Sequence, residues 1–189
     1  MKNLPIRKQI RLKDYDYGRN GTYFITFCVK DNHCILWDVG AATCRPYVNS
    51  TPLLNNIGEI IDAAIKNVSH IYNNMIVDKY VIMPNHIHMI LSVQKINEQI
   101  GNSEKIENGG LTNNGGLTNN GGRQIAAPTT VSTVIGHIKR FVSMKIGYSI
   151  WQNSFHDHII RNENEYQQIW QYIDKNPQTW DNDRYYFKL

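Results

Sequence analysis

The sequence predicts an α+β domain, with an antiparallel sheet covered on one face by two helices. Three observations lead there. Residues 22–30, TYFITFCVK, are rich in aromatic and β-branched side chains and lie between Gly21 and Asp31-Asn32, which is a strand pattern. Ile57, Ile60, Ile61, Ala64, Ile65, Val68, Ile71 and Tyr72 follow the i, i+3, i+4 spacing of an amphipathic helix of about four turns. MIVDKYVIM at 75–83 and HIHMILSV at 86–93 are strand-like runs on either side of Pro84-Asn85, and together they read as a β-hairpin.

The intervening and later elements follow in order. Residues 33–56 contain Pro46 and Pro52 and little periodicity, with room for one short strand near Cys34–Trp37 or Tyr47–Ser50. Residues 94–130 include the repeat NNGGLTNNGG and almost nothing apolar, so they cannot offset the entropy of ordering and are expected to form a flexible surface insertion. Thr130 or Ser132 caps a predicted helix to about Ile146, with Val131, Val134, Ile135, Ile138, Phe141 and Val142 on one side and Lys139, Arg140 and Lys145 elsewhere. A short strand is expected around His158–Arg161. Asn162 then introduces a helix from Glu163 to Asn176, closed by Pro177, with Tyr166, Ile169, Trp170 and Ile173 as its apolar stripe. The order β-α-β-β-α-β plus a final helix suits a ferredoxin-like sheet. Residues 1–20 are a basic arm and 21–189 a single domain interrupted by the insertion.

Composition narrows the class. The chain has 189 residues, 41% hydrophobic and 19% charged, with no apolar run near the roughly 18 to 20 residues that span a bilayer, which argues against a membrane protein. The N-terminus lacks the apolar core of a secretion signal, so a cytoplasmic location is expected. Cys28, Cys34 and Cys44 are odd in number with no CxxC pair, and read as small buried hydrophobes rather than a disulfide framework or zinc knuckle. The net charge of +4 is accounted for by the arm: Lys2, Arg7, Lys8, Arg11, Lys13 and Arg19 stand against Asp14 and Asp16. Such an arm serves either as a solubilising tail or as a contact for a polyanion.

Two elements can carry chemistry. In a strand, His86 and His88 point to one face about 6.6 Å apart along the chain, at about 3.3 Å per residue, so both imidazoles can converge on one ion. Ordinary structural histidines are the plainer reading of an HxH pair. Tyr172 and Asn176 lie four residues apart on one side of the last helix; packing at the core edge and a helix end before proline are their plainer readings. Taken together, two strand histidines and an amide can bind a divalent ion that polarises a phosphate while the tyrosine hydroxyl attacks phosphorus. A phenol of pKa near 10 needs its proton withdrawn or a nearby positive charge for that role.

VDKYVIMPNHIHMIL, WQNSFHDHIIRNENEY and YIDKNPQTWDNDR, together with the leader IRLKDYDYGRNGTYFITFCVKDNHCILW, resemble the single-tyrosine HUH transposases, in particular the REP-associated tyrosine transposases. The resemblance covers the chain apart from about 38–56 and 94–130. It implies a ferredoxin-like catalytic domain, a Mg or Mn ion, single-stranded DNA with hairpin ends as substrate, and cleavage and rejoining through a 5′-phosphotyrosine. Carried onto this sequence, His86 and His88 are the metal histidines, Tyr172 the nucleophile and Asn176 the polar metal-assisting residue. Asp157 and His158 match a further family element and are candidates for active-site support, whereas His156 stands where relatives commonly have an aromatic residue. A metal site using His156 or His158 also stays open. Histidine ligands are softer than the oxygen shell Mg prefers, which favours Mn.

For DNA contact, Arg7, Lys8, Arg11, Lys13 and Arg19 interleave with Tyr15 and Tyr17, a pattern suited to backbone contact and base stacking on an unpaired strand. Lys139, Arg140 and Lys145 form a second candidate patch, or a solvated helix face. Trp180 and Arg184 are expected to hold the C-terminal tail without a catalytic role. A nucleic-acid-binding protein on the same fold without strand transfer, and a phosphodiesterase using water, are the competing functions. Monomer and homodimer both stay open.

Overall fold

The structure is a computed structural model that describes residues 20–38, 54–94 and 130–186. The arm positions Arg7 to Arg19, Cys44, the alternative strand at Tyr47–Ser50 and nearly all of the insertion lie outside the described residues. Four strands, β1 (Gly21–Cys28), β2 (Met75–Ile82), β3 (His86–Val93) and β4 (His156–Ile160), form one antiparallel sheet in the order β2-β3-β1-β4. This is the predicted ferredoxin-like arrangement, in which β1 sits between β3 and β4 because two helical crossovers return the chain to its flanks.

Strand alternation divides the sheet chemically. Tyr23, Ile25 and Phe27 of β1 and Ile87, Met89 and Leu91 of β3 are fully buried in the core under α1 (Asn56–Lys66) and α3 (Val131–Ile146). Phe24, Thr26, His86 and His88 alternate with them and face the other way, toward α4 (Glu163–Lys175), which crosses β2 and β3. The near-complete burial of β3 on both faces reflects this sandwiching. Among the described residues no helix is long and apolar enough to cross a membrane.

The expected helix over 57–72 is two helices. Asn67, at φ −81° and ψ −7°, ends α1, and α2 (Val68–Ile71) forms a separate turn closed by the Tyr72 amide on the Val68 carbonyl. Asparagine is a poor interior helix residue because its side chain competes for backbone groups, which makes it the natural break point. The strand sought near Cys34–Trp37 reduces to a single bridge between Trp37 and Leu54. Cys28 is buried and Cys34 partly so, and neither is in a disulfide among the described residues.

Asn55 joins this loop to α1. Its Oδ1 accepts from the Ile57 and Gly58 amides at 3.0 Å each, while Nδ2 donates to the Ile35 carbonyl at 2.7 Å. Asn55→Ala is expected to lower unfolding free energy by about 2 kcal/mol, read as a shift in denaturant midpoint, since a helix cap and a loop tie are lost together.

At the other end, α3 is capped by Thr130, whose hydroxyl accepts from the Thr133 amide, and stops at Gly147 in the left-handed region with φ +86°. β4 begins two residues earlier than expected. Pro177 does not end the last helical segment: α4 passes at Asn176 into a 3-10 run, Asn176–Asn182, with the proline in its first turn. There the missing amide costs nothing and the fixed φ suits helical backbone. That continuation returns the chain toward β3, which matters for the site.

Candidate metal centre and active site

The two histidines enter the sheet immediately after the Pro84-Asn85 turn and sit side by side on its α4 face. His86 is wholly buried and His88 is nearly so. Asn85 fixes the first ring. Its Nδ2 donates to the Asn32 and Tyr185 carbonyls at 3.1 and 2.9 Å, which leaves Oδ1 to accept from His86 Nδ1 at 2.8 Å. Nδ1 therefore carries the proton and Nε2 turns a lone pair inward, the usual way an outer partner sets a ligand tautomer. His88 is held in the same fashion, with Nδ1 2.7 Å from Thr26 Oγ1, its neighbour across β1.

The inward nitrogens, His86 Nε2 and His88 Nε2, lie 3.0 Å apart. Two ring nitrogens at that distance need a proton or a cation between them. Asp183 supplies the counter-charge: Oδ1 is 3.9 Å from His86 Nε2, Oδ2 is 3.9 Å from His88 Nε2, and its side chain is buried. Ligand atoms of the three residues all fall within 4.8 Å of one another. Donors bonded to one ion at about 2.1 Å lie about 3 to 4 Å apart, so the cluster has the dimensions of a metal site.

Electrostatics agree with that reading. Burial lowers the pKa of both histidines, reinforced at His86 by His88 and opposed by Asp183, so both rings stay neutral with lone pairs available. Burial alone would raise the Asp183 carboxyl, but nearby His88, the Tyr185 amide at 2.6 Å, His86 and Asn176 outweigh it and hold it below the usual carboxylate range.

A consequence for stability follows from the histidines. Their folded pKa lies below the unfolded value near 6.5, so the unfolded chain takes up protons first. The protein in EDTA is expected to keep full stability above about pH 6.5 and to lose it as pH falls below that. Urea midpoints at pH 7.5 and 5.5 check this. Equal midpoints would show that the rings are not held neutral.

Tyr172 reaches the cluster from α4. Its hydroxyl is 3.1 Å from His88 Nε2 and 3.2 Å from Asp183 Oδ2, and its ring meets Phe24 edge-on, while 42% of the residue remains exposed. Burial, and then the Asp183 charge, push the phenol up to about 12. The hydroxyl is therefore protonated at neutral pH, with two acceptors in reach of its proton. Asn176, one turn on, donates from Nδ2 to Asp183 Oδ2 at 3.0 Å, and its buried Oδ1 has no hydrogen-bond partner among the described residues. An orphaned buried carbonyl beside this carboxylate fits a site that receives a cation.

The structure thus brings together His86, His88, Tyr172 and Asn176, the four residues that the family resemblance singled out, and adds Asp183, Asn85 and Thr26. Asp183 was hidden because Pro177 reads as a stop, whereas the 3-10 run carries the chain on to it. Trp180 holds the tail as expected, buried against His86 and Tyr186. Arg184 does more than that, since it lines a hollow beside Tyr172.

Of the supporting candidates, His158 pairs across the sheet with Phe24 and hydrogen-bonds Glu165 at 2.6 Å, so it ties β4 to α4. Asp157 takes the opposite alternation, paired with Ile25, and its Oδ1 is buried with no hydrogen-bond partner among the described residues. Neither belongs to the three-residue cluster. Lys139, Arg140 and Lys145 lie on α3, across the sheet from the histidines. Lys139 Nζ donates to the Gln152 and Ser154 carbonyls at 2.8 and 2.9 Å, and burial pushes its pKa down to about 8. Arg140 and Lys145 are both exposed, with Lys145 Nζ 5.7 Å from the Phe141 ring centroid.

No protein-family model matches the sequence. An uncharacterized protein of Haemophilus influenzae is 29% identical over 188 residues, covering 95% of this chain and 93% of its own. Among solved structures, a REP-associated tyrosine transposase bound to a REP hairpin is similar with a TM-score of 0.56 at 18% identity, covering 90% of this chain and 74% of that one. The fold is that of a REP-associated tyrosine transposase. In this transposase-like fold the sheet face that carries the histidines is the one α4 closes over, so the tyrosine arrives at the histidine pair from the opposite layer.

Proposed function

We propose that the protein is a metal-dependent transposase that cleaves and rejoins single-stranded DNA at hairpin or palindromic sites. The observation that carries this reading is the Tyr172 hydroxyl within 3.2 Å of both a buried histidine and the carboxylate of the same cluster. His86, His88 and Asp183 would hold the ion, with the Asn176 carbonyl as a further oxygen donor. A divalent ion bound there supplies positive charge to a phosphodiester and favours the phenolate.

The chain's own residues do the rest. Asn85 and Thr26 fix the ring orientations. The Tyr172 proton passes to Asp183 Oδ2, 3.2 Å away, and the phenolate oxygen attacks phosphorus. An O–P bond to tyrosine forms as the P–O3′ bond breaks, and the departing 3′ oxygen takes a proton. The 5′-phosphotyrosine conserves the phosphodiester for rejoining when a 3′-hydroxyl attacks in the reverse sense.

Hairpin DNA is the proposed substrate because the similar transposase was solved with a REP hairpin. The basic arm, Arg7 to Arg19 with Tyr15 and Tyr17, and the α3 cations Arg140 and Lys145 are proposed backbone contacts, with Lys139 shaping the adjoining loop. Two imidazoles make Mn the better ion than Mg.

The test is incubation of the full chain with end-labelled hairpin DNA and Mn, followed by denaturing electrophoresis. A metal-dependent, denaturant-resistant protein–DNA band is expected, stronger in Mn than in Mg. Cleavage without an adduct would mean water is the nucleophile, and retention of DNA with neither would mean a binding protein.

A further inference from the structure

Beside the tyrosine, the α4 face of the sheet opens into a hollow of about 250 Å³ that extends away from the histidine-aspartate cluster, touching it only at His88. Its floor is Phe24 and Thr26 of β1, its far wall His156, Asp157 and His158 of β4, and its near wall Tyr172, Arg184 and Tyr185; Asp157 Oδ1 is itself buried. Cross-strand pairing with Thr26 places His156 on the same sheet face as the metal-site histidines. Among the described residues Arg184 forms no ion pair and His156 makes no hydrogen bond; the guanidinium lies only against the Tyr185 ring, 5.6 Å from its centroid. His158, by contrast, is engaged by Glu165.

We infer that this hollow is the subsite for one unpaired nucleotide next to the phosphate that Tyr172 attacks, with Arg184 and His156 on its phosphate and the rim of Phe24 against its base. The inference rests on the proposed function for its location but not for its test. A guanidinium that forms no ion pair among the described residues, next to an exposed imidazole, suits a phosphate on its own side of the hollow, across from the Asp157 carboxylate. The Phe24 ring is stacked on His88, so its edge meets the base and accepts any base face, and the volume suits one nucleotide rather than a base pair. The position of Arg184, one residue after the metal-site carboxylate, couples capture of the strand to the reacting atoms.

The experiment uses the full chain in EDTA, so that no cleavage occurs, and a fluorescein-labelled mixed-sequence single-stranded hexadeoxynucleotide read by anisotropy across a salt series. Arg184→Gln is expected to weaken binding about tenfold and to flatten the slope of log K against log salt by about 0.7, the loss of one contact to a single strand. Arg184→Lys should restore the slope, and the ring signals of His156, assigned with His156→Gln in histidine-labelled protein, should shift on adding the hexamer. An unchanged slope in Arg184→Gln, or a His156 signal that does not move, overturns the subsite. If wild-type protein forms no adduct with Mn and hairpin DNA yet these effects appear, the transposase reading fails and the subsite stands. If wild type forms the adduct and Arg184→Gln has no effect, the subsite fails and the transposase reading stands.

Discussion

Tyr172→Phe is expected to abolish the covalent protein–DNA complex, lowering its rate of formation at least about 10³-fold, as removal of a nucleophile does elsewhere. Binding of the same hairpin should change less than about threefold. The variant keeps the ring that meets Phe24 and His88 and loses only the hydroxyl that touches His88 Nε2 and Asp183. Because 42% of the residue is exposed, the fold should be little disturbed, and thermal midpoints within a few degrees of wild type would confirm it. A variant that still forms the complex would remove Tyr172 from the chemistry.

Asp183→Asn is expected to have the second largest effect. The substitution preserves shape, and the amide oxygen can still accept from the Tyr185 amide, now held at 2.6 Å. It removes the charge that faces both histidines at 3.9 Å. Mn affinity, followed by calorimetry, should fall about 10- to 100-fold, with adduct formation falling at least as far. Asn176→Ala, which takes away the orphaned carbonyl but leaves the carboxylate, should cost less than Asp183→Asn. The opposite ranking would make Asn176 the principal third donor and Asp183 its orienting partner.

The contrast between these two residues shows what the sequence could disclose. His86 and His88 were legible because a period-two strand next to a turn puts alternate residues on one face, and the turn was marked by proline and asparagine. Helical spacing put Tyr172 and Asn176 on one side of the last helix, while only the family resemblance marked them as functional. Each of these spacings is a local periodicity. Asp183 was not legible, since it reaches the histidines through a 3-10 run that begins at a proline, and no repeat connects residue 183 to residue 86.

The outer partners were hidden for a related reason. Thr26 meets His88 only through the β1–β3 register, and Asn85, legible as a turn residue, acquires its role from two carbonyls, of Asn32 and Tyr185, that are distant in the chain. The break at Asn67 was masked by an apolar stripe that runs unbroken across it. Arg184 looked like part of a packing tail because its neighbour Trp180 is one.

Tyr185 is the sharpest competitor to Tyr172 for the role of nucleophile. Its ring centroid lies 4.6 Å from that of His86 and 6.0 Å from that of His88, close enough to the cluster to attack a phosphate held there. Its hydroxyl, however, has Thr26 as its partner, whereas that of Tyr172 touches the cluster itself. Mass-spectrometric mapping of the protein–DNA adduct formed with Mn and hairpin DNA, after proteolysis and nuclease trimming, separates the two. A nucleotide joined through its 5′-phosphate to Tyr172 is expected, with the released strand ending in a 3′-hydroxyl. A nucleotide on Tyr185, or a released strand ending in a 3′-phosphate, would contradict the proposed chemistry.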